Sequence, residues 1–246
     1  VKIRFLVGAS KGCKALRDSL KEEGLDVLKI KKVGSRGIIR EDIQILNDPT
    51  SVAKASDKVV TFQTLQEEGM SNYIPEWTTR LEDAVAMVAE GEVVYCRTLS
   101  RASQGRGIVI ASETNEVVQA PLYTCKVDVS REVRIHVFGD RVIHFAQKKR
   151  MGSERREEEG ISEANEDVRS HDNGWIFSIS DVEIPQEAQD VAIRGVKALG
   201  LDFGAVDMAL TPQGGCKIYE INTAPGLEGT TLVKYTEAFK DYVRNI

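Results

Sequence analysis

Three observations predict a mixed α/β chain of the α+β kind. A strand–helix–strand unit opens it: Lys2 to Val7, a helical stripe at Cys13, Leu16 and Leu20, then Val27 to Val33. Two antiparallel hairpins come later, one turning at Gly139-Asp140 and the other over Pro212 to Gly215. Helical stretches separate these strands and close the chain. With 246 residues there is material for one large domain or two small ones, at roughly 100–200 residues each.

In order, the opening βαβ unit normally sets its strands parallel. At about 50 residues it is too small to stand alone, so it is expected to pack on the rest of the chain. Ser51 to Glu68 reads as one helix ended by Gly69, and a second runs from Thr79 or Glu82 to Gly91. Glu92 to Thr98 and Ile108 to Ser112 read as strands around the loop Ser100 to Gly107, which carries Ser103, Gly105, Arg106 and Gly107. That loop is either a solvated hairpin tip or a flap whose N–H groups and guanidiniums fold over an anion.

Val133 to Lys149 alternates with period two on both sides of its turn. With Phe138 opposite Arg141, Arg134 falls opposite Phe145. Glu132, Arg134, His136, Ile143, Gln147 and Lys149 then share one face, which mixes acid and base as a ligand site does. His144 falls on the apolar face as a core histidine. Met151 to Ser170 has ten charged residues in twenty, the composition of a mobile loop, placed where a lid would lie. Helices are expected from Pro185 to Gly200 and from Thr230 to Val243.

Composition narrows the classes. Thirty-three basic against 38 acidic residues give a net charge of −5, which argues against broad, non-specific nucleic-acid binding. No stretch approaches the ~18 apolar residues of a membrane span, and no leader pattern opens the chain. Cys13, Cys96, Cys125 and Cys216 form no CxxC pair, so free buried thiols and a cytoplasmic location are expected. With three histidines, any metal should be a hard cation held by oxygen.

Phe203 to Leu210 and Lys217 to Asn222 form the last hairpin. With Thr211 opposite Cys216, Asp207 stands opposite Glu220, and Asn222 points to the same face. Opposed carboxylates repel unless a cation lies between them or one is protonated. The adjoining amide oxygen completes an oxygen cage suited to Mg²⁺.

The strand EVVYCRT, the SQGRG loop, REVRIHVF, RSHDNGW and the stretch GLDFGAVDMAL…KIYEINTAPGLEG resemble, in that order, the ATP-grasp ligases. The likeness is greatest to RimK-like amino-acid ligases and to their short versions in bacteriophage genomes, and it covers residues 50 to 235. It implies two α+β subdomains gripping a nucleotide, at 51–122 and 123–246, after a unit at 1–50. It implies ATP, with two Mg²⁺ ions (Mn²⁺ as a substitute) held by Asp207, Glu220 and Asn222, and a flap at Ser100 to Gly107. Tyr123, Thr124, Cys125 and Lys126 match the linker that contacts adenine, and Arg134 matches the arginine near the γ-phosphate. Its basic companion is Lys148 counted from Glu132, or Lys149 by strand alternation; a β-bulge would reconcile the two. Asn173 matches an asparagine that positions the transferring phosphate. Arg97 stands where the family usually has a phosphate-binding lysine, replacing a compact ammonium with a planar fork.

The implied activity joins a carboxylate to an amine, or to a peptide or protein acceptor, through an acyl-phosphate in a host cytoplasm. A kinase on the same fold and a non-catalytic nucleotide-binding module are the alternatives.

Overall fold

The computed structural model describes residues 2–6, 11–30, 43–100, 106–179 and 182–245. Ser103 and Gly105 of the expected flap lie outside the described residues. Strands β1 (Lys2–Leu6), β2 (Asp26–Ile30) and β3 (Ile43–Leu46) form a parallel sheet in the order β2-β1-β3, with α1 (Lys11–Glu22) as the crossover. As its stripe predicts, α1 buries Cys13, Leu16 and Leu20. These pack across the unit's own boundary onto Phe203, Leu227, Tyr235 and Phe239. Gly12 permits that approach: a Cβ there would stand 2.8 Å from the backbone nitrogen of Leu227.

The single helix expected at 51–68 is two, α2 (Pro49–Ala55) and α3 (Lys58–Glu67). Asp57 makes the break by accepting from the N–H groups of Val59 and Val60, which starts a new helix. Asp48 caps α2 in the same way. Strands β4 (Trp77–Thr78), β5 (Val94–Arg97), β6 (Ile108–Ala111) and β7 (Leu122–Cys125) make an antiparallel sheet in the order β4-β7-β5-β6. Helix α4 (Leu81–Ala89) covers it through Ala84 and Val88. The last strand of this sheet runs from Leu122 to Cys125. The α2–α3 pair buries Ala55, Phe62 and Leu65 in the core of the next sheet.

That next sheet contains β8 (Arg131–Phe138), β9 (Arg141–Arg150), β10 (Trp175–Ser178), β11 (Phe203–Leu210) and β12 (Cys216–Asn222), in the order β10-β9-β8-β11-β12. The stretch between β9 and β10 is not wholly loop, since α5 (Ser153–Glu158) lies in it. Helix α6 (Gln186–Ala198) packs Val191 and Val196 onto one face, and α7 (Gly229–Arg244) buries Tyr235 and Phe239. All four cysteines are free and buried. No described helix is long and apolar enough to cross a membrane.

Two β-bulges set the register. In the β8–β9 hairpin Phe138 faces Arg141 and Val137 faces Val142, but His136 faces His144, leaving Ile143 as the extra residue. Beyond it every β9 residue is displaced by one: Arg134 faces Ala146, not Phe145. His144 therefore leaves the apolar face and stacks beside His136, with ring centroids 5.5 Å apart. Its Nε2 is buried without a hydrogen-bond partner, so it is not the satisfied core histidine expected. In the last hairpin Cys216 pairs with Leu210, one residue from the expected register, and a bulge at Tyr219 restores Asp207 opposite Glu220.

Asn47 joins the N-terminal unit to this sheet. It is buried at φ 50°, in the left-handed region that asparagine tolerates. Its Oδ1 accepts from the N–H groups of Asp202 (2.8 Å) and Phe203 (3.1 Å), while its Nδ2 donates to the Phe203 carbonyl (2.8 Å). Asn47→Ala leaves these buried backbone groups unpaired, so we expect a loss of about 2–4 kcal/mol, read as a lowered urea midpoint.

Candidate functional site

Alternation on β8, β11 and β12 brings Arg134, Asp207, Glu220 and Asn222 onto one face of the second sheet. Arg134 faces Asp207 across β8–β11. Its Nε and Nη2 donate to the two Asp207 oxygens at 2.6 and 2.8 Å, a bidentate fork. Asn222 Nδ2 donates to the same carboxylate at 3.1 Å. Burial alone would raise the Asp207 carboxyl, but the charge and hydrogen bonds of Arg134 hold it below the usual carboxylate range. Burial also opposes the Arg134 charge, and Asp207 outweighs it. Glu220 is met by Lys58 at the start of α3, 3.3 Å away. The repulsion expected between the opposed carboxylates is thus relieved by two of the protein's own cations.

A second knot lies one row away. Lys148 Nζ donates to Glu132 Oε2 at 2.7 Å and to the Arg169 carbonyl at 2.6 Å. Arg169 stands 3.7 Å from Glu132. The Arg134 guanidinium lies 4.1 Å from the centre of the Phe177 ring, and the Lys148 ammonium 5.4 Å from it. These groups line a cavity of about 970 Å³ between the two antiparallel sheets. From the first sheet, Arg97, Thr124, Cys125 and Lys126 line it as well. Burial lowers Arg97, an effect Glu220 partly offsets. Arg97 Nε donates to Thr124 Oγ1 at 3.3 Å.

A parallel three-stranded unit precedes two antiparallel sheets, which face each other across one charged cavity. No protein-family model matches the chain. A probable α-L-glutamate ligase 1 of Shewanella sp. (strain W3-18-1) is 28% identical over 220 residues, 82% of this chain and 67% of that protein. Among solved structures, the ATP-grasp ligase PsnB complexed with minimal precursor, Mg and ADP superposes with a TM-score of 0.62. It is 13% identical and covers 99% of this chain and 98% of that one. The chain has the ATP-grasp fold. The RimK domain protein ATP-grasp from Sphaerobacter thermophilus DSM 20745 is similar over 98% of this chain and 99% of its own, with a TM-score of 0.61 at 12% identity.

Within this ATP-grasp cavity the structure assembles most of the residues read from sequence. Asp207, Glu220, Asn222, Arg97, Thr124, Cys125, Lys126, Arg134 and Lys148 all line it. The bulge at Ile143 decides between the two lysines: Lys148 falls beside Glu132, and Lys149 is not among the lining residues. Tyr123 is turned away. Its ring is buried in the core under α4, and its hydroxyl donates to the Val118 carbonyl at 3.1 Å. Asn173 is also outside the lining; its Nδ2 donates to the Val168 carbonyl at 2.7 Å and holds the loop closed. Arg106 and Gly107 sit at the start of β6, beside the lining residue Ile108. Gly107 has φ 72°, and its carbonyl accepts from the Thr98 N–H at 2.7 Å, which fixes the root of the hairpin. Burial first, then Glu76 and Glu92, push the Cys125 thiol up to about 11, so it remains protonated.

Sequence reasoning misses other residues at the site, Lys58 beside Glu220 and several that line the cavity. Lys58 has one readable signal, the Asp57 cap that sets it on the first turn of α3. Tyr219 reaches the cavity because the bulge there turns it onto the site face. Tyr95 and Asp167 come together only through the fold: the Tyr95 hydroxyl donates to the Asp167 carbonyl at 3.1 Å, and Lys126 Nζ to its Oδ1 at 2.6 Å. The charged segment expected as a loop thereby spans from the second sheet to the first.

The donor set fits magnesium, with two carboxylates and an amide on adjacent strands offering only hard oxygen. Among the described residues, no group of three His, Cys, Asp or Glu side chains gathers as an alternative cage. The cations and the cavity volume likewise suit a nucleoside triphosphate.

His136 lies beneath this centre with its Nδ1 3.3 Å from the Tyr235 hydroxyl. Burial first, and then the Arg134 charge, push its imidazole down to about 3. The unfolded chain takes up this proton near the ordinary value of about 6.5. The stabilisation is therefore complete above that pH and is lost as pH falls toward the folded value. We expect the urea midpoint to drop between about pH 7 and pH 5, and to drop less in His136→Gln.

Proposed function

We propose that this ATP-grasp ligase joins a carboxylate to an amine through an acyl-phosphate, with a peptide or protein tail as the acceptor. The observation that carries the reading is the set Asp207, Glu220 and Asn222 in one cavity with Arg97, Lys126, Arg134 and Lys148. Acid groups suited to a divalent cation face basic groups suited to phosphate. The named activities of the similar ligases, and the minimal precursor, Mg and ADP in the PsnB complex, support the same chemistry.

In this reading a substrate carboxylate oxygen attacks the γ-phosphorus of ATP and ADP leaves. The amine nitrogen then attacks the acyl carbon, loses a proton, and inorganic phosphate leaves. Arg134 and Lys148 neutralise the charge that spreads over the phosphoryl oxygens. Arg97 meets the phosphates nearer the nucleoside, its fork replacing the usual ammonium. Thr124 to Lys126 border the base, and residues 165–171 cover the mouth and exclude water from the acyl-phosphate. Asp207, Glu220 and Asn222 would hold Mg²⁺, two ions with Mn²⁺ as a substitute, and the metal supplies charge neutralisation at the phosphate oxygens. The location proposed for the reaction is a host cytoplasm, as the sequence resemblance to bacteriophage-encoded proteins implies.

Hydroxylamine intercepts acyl-phosphates as hydroxamates and so separates a ligase from a kinase. In a screen of carboxylates with ATP and Mg²⁺, we expect ADP release to be accompanied by hydroxamate. Glu220→Ala should slow both by roughly 10²–10³-fold. Chelation should abolish them, and Mg²⁺ or Mn²⁺ should restore them. A stable phosphorylated product without hydroxamate would assign a kinase, and nucleotide binding without ADP release would assign a non-catalytic module.

A further inference from the structure

The large apolar residues exposed in the described chain are Val60, Leu99, Val109, Val118, Phe177, Ile179 and Val233. Of these, Phe177 is the one that lines the cavity. It stands on β10, the edge strand, opposite Lys148 of β9. Arg134 comes from β8, one strand farther in. The two side chains meet because the β9 residue opposite Arg134 is Ala146, small enough to lie beneath them. The guanidinium is thus held at one edge by Asp207 and on its face by the ring, 4.1 Å away. Even so, Phe177 is 36% exposed. Ile179, just past the end of β10, is 51% exposed.

The cations beside the ring retain hydrogen-bonding capacity. Two of the five N–H donors of Arg134 are engaged with Asp207, and two of the three on Lys148 with Glu132 and the Arg169 carbonyl. A carboxylate that reaches the remaining donors has the Phe177 ring as its next neighbour. A second anionic group placed there would be desolvated against carbon. An apolar group would cover surface that the fold leaves in water.

We propose that Phe177 determines specificity for the carboxylate substrate, selecting one whose reacting carboxylate carries an aromatic or large apolar group. This rests on the ligase reading of the site. The substrate's apolar group lies on the ring, at the edge of the sheet.

The test compares 3-phenylpropionate with glutarate, two carboxylates that differ in the group carried on the chain. Hydroxamate formation with ATP, Mg²⁺ and hydroxylamine gives kcat/KM for each. Calorimetric titration into the Mg²⁺–ADP-loaded protein gives affinity without turnover. The expected wild-type preference for 3-phenylpropionate is about 10–200-fold, the range one apolar pocket provides. Phe177→Ala should bring the ratio near one, and Phe177→Tyr should keep it. ADP affinity and the circular dichroism spectrum should match wild type in both. A wild type that uses or binds glutarate as well as 3-phenylpropionate, or a Phe177→Ala protein that keeps the preference, overturns the proposal. If no carboxylate yields hydroxamate the ligase reading fails, while the titration ratio still decides what Phe177 selects.

Discussion

The fork between Arg134 and Asp207 lies at the middle of the second sheet, and the rest of the site is arranged around it. A buried ion pair of this kind is costly to desolvate and is repaid only when its remaining polar atoms find partners. Asn222 meets one Asp207 oxygen, and Phe177 covers the guanidinium face. His136 below stays neutral, so no third charge competes. Glu220, across from Asp207, is answered by Lys58 from a helix that packs on the same core. Removing either member of the fork would leave a buried charge alone, which constrains every neighbouring position.

This constraint explains the arrangement of the strands. β8 and β11 form the longest uninterrupted ladder, with eight paired residues from Phe203–Phe138 to Leu210–Arg131. The bulges fall in the flanking pairs, β8–β9 and β11–β12. The sheet therefore keeps a regular centre and adjusts at both sides. On one side the adjustment turns Lys148 inward beside Glu132; on the other it brings Glu220 opposite Asp207.

Much of this is legible in the sequence. The α1 stripe, both hairpins, α6 and α7 follow from apolar periodicity and turn residues. Counting from a loop is enough to find Asp207, Glu220 and Asn222. The count sets Thr211 opposite Cys216, one residue out, and the bulge at Tyr219 cancels the error. In β8–β9 nothing cancels the unseen bulge, so alternation puts His144 on the wrong face and leaves the lysine open. Bulges carry little sequence signal at a non-glycine position, because the extra residue is an ordinary Ile or Tyr. Contacts such as Tyr95 with Asp167, or Asn47 with Phe203, join segments 72 and 156 residues apart, and local patterns carry no trace of them. Tyr123 and Asn173 show a different limit: resemblance aligns their positions, while their side chains go to the core and to a loop.

The bridge between the two antiparallel sheets is of a different character from their interiors. Asp167 reaches the first sheet through the Tyr95 hydroxyl and the Lys126 ammonium, and both contacts are exposed to solvent. An exposed ion pair contributes at most about 1 kcal/mol, far less than the burial that holds either sheet together. Releasing this bridge thus breaks two weak contacts at the rim of the cavity and leaves untouched the core that the sheets share through Leu122 and Trp77. Opening of this kind belongs to the microsecond-to-millisecond range of domain motion. It is also sensitive to ionic strength, because salt screens Lys126 from Asp167 far more than it screens the buried fork. The contacts that close the rim of the cavity are therefore weaker, and more open to the solvent's ions, than those that build its floor.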